Sequence, residues 1–111
     1  MSNEMYRACI EAFNVCATAC NHCAASCLKE PDVKMMSKCI ALDMDCAQMC
    51  TVAAAVMARG SEHYQEICKV CADICLSCGD ECAKHDKTHC KECAKACNHC
   101  AEECRKMVTM A

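Results

Sequence analysis

Cys93-Ala94-Lys95-Ala96-Cys97-Asn98-His99-Cys100-Ala101-Glu102-Glu103-Cys104 decides the fold. Its cysteines lie four, three and four residues apart. That spacing puts all of them on one face of an α-helix, whereas a strand would scatter them over both faces. The same frame, C-A-x-x-C-x-x-C-x-x-x-C, recurs from Cys16 to Cys27 and from Cys71 to Cys82. Ala19-Cys20-Asn21-His22-Cys23-Ala24 is repeated as Ala96-Cys97-Asn98-His99-Cys100-Ala101. A fourth copy begins at Cys46-Ala47-Gln48-Met49-Cys50 and then carries Ala53 and Met57 where the other three carry cysteine.

Working outward, few residues interrupt these repeats. Two glycines and one proline in 111 residues are too few for the turns of a β protein and favour long helices. Pro31 cannot continue a helix but suits the first turn of the next. Gly60 and Ser61 are placed to end one helix and cap another, and Asp86 or Thr88 can cap a further one. The expected elements are helices over about 3–28, 32–58, 62–85 and 88–108 of a single domain, 1–111. Short links make sequential helices antiparallel, so the fold class is all-α: an up-down-up-down four-helix bundle with a Cys-lined core.

All 18 cysteines obey this register. They are Cys9, Cys16, Cys20, Cys23 and Cys27 in the first segment, and Cys39, Cys46 and Cys50 in the second. The third holds Cys68, Cys71, Cys75, Cys78 and Cys82, and the fourth Cys90, Cys93, Cys97, Cys100 and Cys104. Every gap within a segment is three, four or seven, the seam spacing of a bundle helix. Leu, Ile, Val and Phe together number only 14, so cysteine stands where leucine usually packs.

Composition excludes several classes. No uninterrupted run of ~18 apolar residues marks a membrane span. A net charge of −3 without a basic patch, and only three aromatic residues, argue against nucleic-acid binding. No apolar leader segment follows Met1, so a cytoplasmic location is expected. In a reducing compartment, cysteines at this density point to metal or redox chemistry rather than to structural disulfides.

Thiolates are soft ligands that select Cu(I), Zn(II) or iron–sulfur clusters. Charge separates the first two. Eighteen buried thiolates would be intolerable without matching positive charge; one Cu(I) per thiolate restores neutrality, while four separate Cys₄ zinc sites would leave about eight negative charges uncompensated. A cluster fold would wrap its cysteines on loops, often with proline after the last one, and a thioredoxin-like C-x-x-C needs a βαβ setting. The alternatives that stay open are a zinc or other soft-metal buffer or detoxification protein, and a disulfide-stapled helical structural protein. No catalytic constellation is present, and the chain is expected not to be an enzyme.

His85 and His89 flank the third break, at the bundle end where Cys27, Cys39, Cys82 and Cys90 should gather. Met35 and Met36 begin the second helix there. His85, His89 and Met36 are therefore candidate accessory ligands at a bundle mouth. Phe13, Met57, Tyr64, Ile67 and Met107 gather at the opposite end as an apolar plug. His22 and His99 fall on helix flanks, and His63 has no clear role. Ile40, Met44, Ile67, Val70 and Ile74 exceed what the seam needs and suggest subunit contacts. Gly79, inside the third helix, marks a close helix approach or room for metal.

With cysteines on all four helices and repeated C-x-x-C-x-x-x-C strings along the whole chain, the sequence resembles the cytosolic copper storage protein family. The resemblance implies an antiparallel four-helix bundle assembled as a homotetramer, with the 18 core cysteines binding many Cu(I) ions. It also implies a store that buffers cytosolic copper without turnover, with copper delivered or removed by a chaperone or small thiol. The second helix, with three cysteines and with Leu42, Ala53 and Met57, departs from the other three.

Overall fold

The computed structural model describes residues 3–108. Four helices follow one another: α1 (Asn3–Leu28), α2 (Ser37–Ala58), α3 (Tyr64–Cys82) and α4 (Thr88–Val108). They form a rod of 46 × 19 × 19 Å. α1 packs on α2 and α4, and α3 packs on α2 and α4, so the two diagonal pairs face each other across a central bore. Contacts such as Cys23 with Cys90 and Cys16 with Cys97 run in opposite chain directions, which makes neighbouring helices antiparallel.

Two helices differ from the sequence expectation in their boundaries. α2 starts at Ser37 rather than at 32, because Val33–Met36 forms a 3-10 turn. α1 has already tightened into i→i+3 bonds before Pro31, with the Lys29 and Glu30 amides donating to the Ser26 and Cys27 carbonyls. The turn then carries Met36 fully inside while Met35 remains 75% exposed. α3 covers 64–82 rather than 62–85. At its start Gly60 adopts φ +65°, as a left-handed helix end requires; its amide donates to Met57 and the Ser61 amide to Val56, a Schellman motif. The helix therefore restarts only after Ser61, whose Oγ accepts the His63 amide at 3.1 Å. Past Cys82 the amides of Lys84 and His85 again bond i→i+3, to the carbonyls of Glu81 and Cys82.

The interior is sulfur. All 18 cysteines are completely buried, whereas among Leu, Ile, Val and Phe only Phe13 is, with Val56 nearly so. Small side chains let the walls close: Ala12, Ala47, Ala53, Ala72, Ala94 and Ala101 are all buried between seam cysteines. Gly79 serves the same end. A Cβ there would lie 2.9 Å from Asn98 Oδ1 and 3.3 Å from Cys97 Cβ, so α3 and α4 approach where a side chain would hold them apart.

Candidate metal centre

The seams bring the thiols into overlapping foursomes. Near the loops that follow α1 and α3, Cys23, Cys27, Cys39 and Cys90 have their Sγ atoms within 4.8 Å of one another. Deeper come Cys20, Cys78, Cys93 and Cys97, then Cys16, Cys20, Cys46 and Cys97, then Cys16, Cys46, Cys50 and Cys75, then Cys50, Cys71, Cys75 and Cys100. Cys82 joins the first level through Cys39, at 3.5 Å. Cys9, Cys68 and Cys104 interact at the far end, and Cys104 reaches back to Cys71 and Cys100. Every cysteine expected in the site is thus part of one continuous column.

The spacing by itself does not choose the metal. Neighbouring Sγ atoms lie 3.5 to 4.0 Å apart, and a tetrahedral zinc site with ~2.3 Å bonds needs sulfurs about 3.8 Å apart. Sharing argues against isolated sites. Cys16, Cys20, Cys46, Cys50, Cys75 and Cys97 each belong to two foursomes, so filling one isolated Cys₄ site removes ligands from the next. A monovalent ion held by bridging sulfurs uses the column without conflict, and the column's charge is balanced at one ion per thiolate. The same crowding leaves no unique disulfide pairing: Cys16 alone has Cys20, Cys46 and Cys97 within 4.0 Å, and all 18 thiols are free.

Electrostatics set the resting state of the column. Burial, reinforced by the neighbouring Cys39 sulfur, pushes the Cys27 thiol up to about 11, and burial raises Cys90 as well. At neutral pH these two thiols are protonated, so a monovalent ion that binds either of them displaces its proton.

One participant has no precedent in the cysteine pattern. Asp43 is completely buried. Its Oδ1 accepts the thiols of Cys78, Cys93 and Cys82 at 3.1, 3.3 and 3.4 Å, and Oδ2 lies 3.8 Å from Cys39. Burial first, and then the Cys93 sulfur, push its carboxyl up to about 10. Asp43 offers the column an oxygen ligand between its first two levels. The register alone could have found it: Asp43 is four residues after Cys39 and three before Cys46, on the seam itself.

The two mouth histidines separate. Nδ1 of His89 faces Cys23, Cys90 and Cys27 at 3.5, 3.6 and 3.8 Å, so His89 extends the first thiol level. His85 turns elsewhere: its Nε2 lies 2.9 Å from Oε2 of Glu81, which also meets Lys84 and Lys38. Glu81 is nearly buried, and its carboxyl is held below the usual range by His85 first and by Lys84. A buried carboxylate outcompetes neutral thiols for an imidazole N–H, which is why His85 leaves the position expected of a ligand. Met36, the last residue of the 3-10 turn, is fully buried. His22, His63 and His99 are exposed, with His63 beside Glu62 and Glu66 and His99 beside Glu103.

At the other end Phe13, Met57 and Met107 are buried, and Tyr6 meets Tyr64 edge to face at 6.5 Å. Tyr64 and Ile67 pack there half-buried, completing the apolar plug.

Known proteins share this arrangement. The Cu(I)-bound copper storage protein BsCsp3 of Bacillus subtilis superposes with a TM-score of 0.91 at 50% identity, over 95% of this chain and 99% of that one. A cytosolic copper storage protein from Streptomyces lividans, in a structure with five coppers, gives 0.94 at 41% identity, over 97% and 95%. The cysteine-rich protein YhjQ of Bacillus subtilis (strain 168) is 53% identical over 82 residues, 74% of this chain and 76% of that protein. The sequence model described as copper storage protein matches residues 2–109, and with it the chain belongs to the copper storage protein family.

Proposed function

We propose that this protein is a cytosolic, high-capacity store that binds about one Cu(I) per cysteine through bridging thiolates and has no catalytic turnover. The observation that carries the reading is the overlap of the thiol foursomes along the whole bore. Each ion that enters finds another sulfur within 4.0 Å of those already holding it, so ions can pass inward by exchanging one thiolate at a time. His89 and Asp43 supply a nitrogen and an oxygen at the first levels of that path. The apolar plug closes the far end, which leaves the loop end as the mouth. A chaperone or small thiol would deliver and remove copper there by the same ligand exchange.

A homotetramer suits the outer surface. Val15, Met44, Val52 and Val70 are each about half exposed on α1, α2 and α3, and a second copy of the chain would cover them. Sedimentation of the reduced protein should give four chains per particle.

Titration of the reduced apo protein with Cu(I) against a strong chelator tests the main reading. Saturation near 18 ions per chain is expected, and saturation at four or fewer would overturn it. Zn(II) should compete weakly, because a tetrahedral site filled in the middle of the column takes cysteines from its neighbours.

A further inference from the structure

His89 faces the thiols with one ring nitrogen and is anchored by nothing at the other. Nε2 is buried and has no hydrogen-bond partner among the described residues. Oε1 of Glu30 stands 3.7 Å away. That carboxylate is itself held in place: Lys87 Nζ lies 3.1 Å from its other oxygen and 3.4 Å from Asp32, tying the loop after α1 to the residue before α4. A neutral imidazole carries its proton on one nitrogen only. For Nδ1 to offer a lone pair to a copper ion, the proton must sit on Nε2, and the side chain placed to receive it is Glu30.

We propose that Glu30 is a positioning residue for the mouth: its carboxylate holds the proton of His89 on Nε2 and the bare Nδ1 toward Cys23, Cys27 and Cys90. The inference rests on the storage reading only in taking Nδ1 as a contact for incoming Cu(I). Closure from 3.7 Å to hydrogen-bond length needs only a small rotation of either side chain, and an ion drawing Nδ1 inward would be accompanied by Glu30 following it. Carboxylates in this outer position commonly fix the tautomer of a metal-bound histidine. Lys87 has the complementary task of keeping the carboxylate over the ring instead of in solvent.

The test uses the reduced, full-length apo protein. Nitrogen NMR of the imidazoles, well above the ordinary histidine titration range, reads the tautomer directly. The wild type should show His89 protonated at Nε2. Glu30→Leu should lose that preference, and Glu30→Gln, whose amide oxygen still accepts, should keep it, although Glu30→Gln also loses the ion pair with Lys87. In Cu(I) uptake, Glu30→Leu should weaken or slow the first equivalents about tenfold, with the final capacity unchanged, and Glu30→Gln should stay near wild type. Combined with His89→Ala, Glu30→Leu should add nothing. An unaltered tautomer and uptake in Glu30→Leu overturns the proposal, and so does an equal slowing in the His89→Ala background, which would make Glu30 a loop latch. A wild type that saturates at a few ions defeats the storage reading, while the tautomer comparison still judges Glu30 by itself.

Discussion

Two seven-residue gaps interrupt the cysteine seam, one near each end of the bore, and they are filled in opposite ways. In α1, Phe13 stands between Cys9 and Cys16; in α2, Asp43 stands between Cys39 and Cys46. Both side chains are completely buried. Phe13 brings no ligand atom and joins Met57 and Met107 in a dry plug, whereas Asp43 bonds three thiols through one oxygen. The same register position can thus close a metal column or open it, depending only on the side chain placed there. One end contributes to stability and the other to chemistry.

Removing the plug side chain should have the largest effect on the apo protein. Phe13→Ala opens a cavity that the rigid helices cannot fill, at a cost of about 3–5 kcal/mol, measured by urea unfolding under reducing conditions. Copper capacity should not fall. Phe13→Cys sharpens the point: it completes the α1 seam, so capacity should rise by about one ion even though the apo protein is weaker. A cost under about 1 kcal/mol for Phe13→Ala would mean that the plug is not what holds this end.

Asp43 makes the opposite prediction, through pH. Its carboxyl titrates near 10 in the folded protein, against 3.8 for the free group. Between those values the folded state binds a proton that the unfolded chain has released. Stability from this group is therefore full below about 4 and declines as pH rises, with a slope of up to about 1.4 kcal/mol per pH unit that ends near 10. Asp43→Asn keeps the shape and removes the titration, so its stability should vary less with pH and should exceed that of the wild type at neutral pH. Equal slopes in the two proteins would show that Asp43 is already ionised.

These two residues also mark how far the sequence could be read. The four helices and the complete cysteine column follow from gaps of three, four and seven, because a helical seam is a one-dimensional pattern. Asp43 is equally available by register, four residues after Cys39 and three before Cys46, but a pattern of cysteines does not point to it. The histidines were not available in that way. His85 and His89 both adjoin the same turn, and which one meets sulfur depends on Glu81, four residues before His85 on the last turn of α3, and on Glu30, delivered by another loop. The late start of α2 is likewise a loop property: Pro31 dictates where α1 must stop but not how many residues the chain spends reversing.

Between the two ends, Gly79 tests how tightly the walls must close. Gly79→Ala gains about 1 kcal/mol of helix propensity but places a methyl 2.9 Å from Asn98 Oδ1 and 3.3 Å from Cys97 Cβ. Asn98 is exposed and can swing aside; Cys97 is a fully buried column member and cannot. Overpacking of about 1–3 kcal/mol should outweigh the propensity gain, giving a net loss of about 1 kcal/mol by thermal unfolding. Adding Asn98→Ala should recover little, because the obstruction that matters is the Cys97 side chain.

The smallest effect belongs to the rim of the mouth, where charges replace the apolar contacts of the plug. Glu81 binds His85, Lys84 and Lys38, but both lysines are about two-thirds exposed and add little. The short His85 contact carries most of the interaction. Glu81→Gln should therefore cost about 1 kcal/mol or less at neutral pH. Because His85 holds the Glu81 carboxyl below its ordinary value, the wild-type advantage is present above about 4.5 and disappears as pH falls through the lowered folded value. Wild type and Glu81→Gln should converge in acid in parallel urea melts. The substitution also frees His85 to turn toward the thiols. If the first Cu(I) equivalents then load faster, the Glu81 contact is what keeps a second nitrogen out of the mouth; an unchanged rate with the same small loss of stability would confine Glu81 to fastening the end of α3.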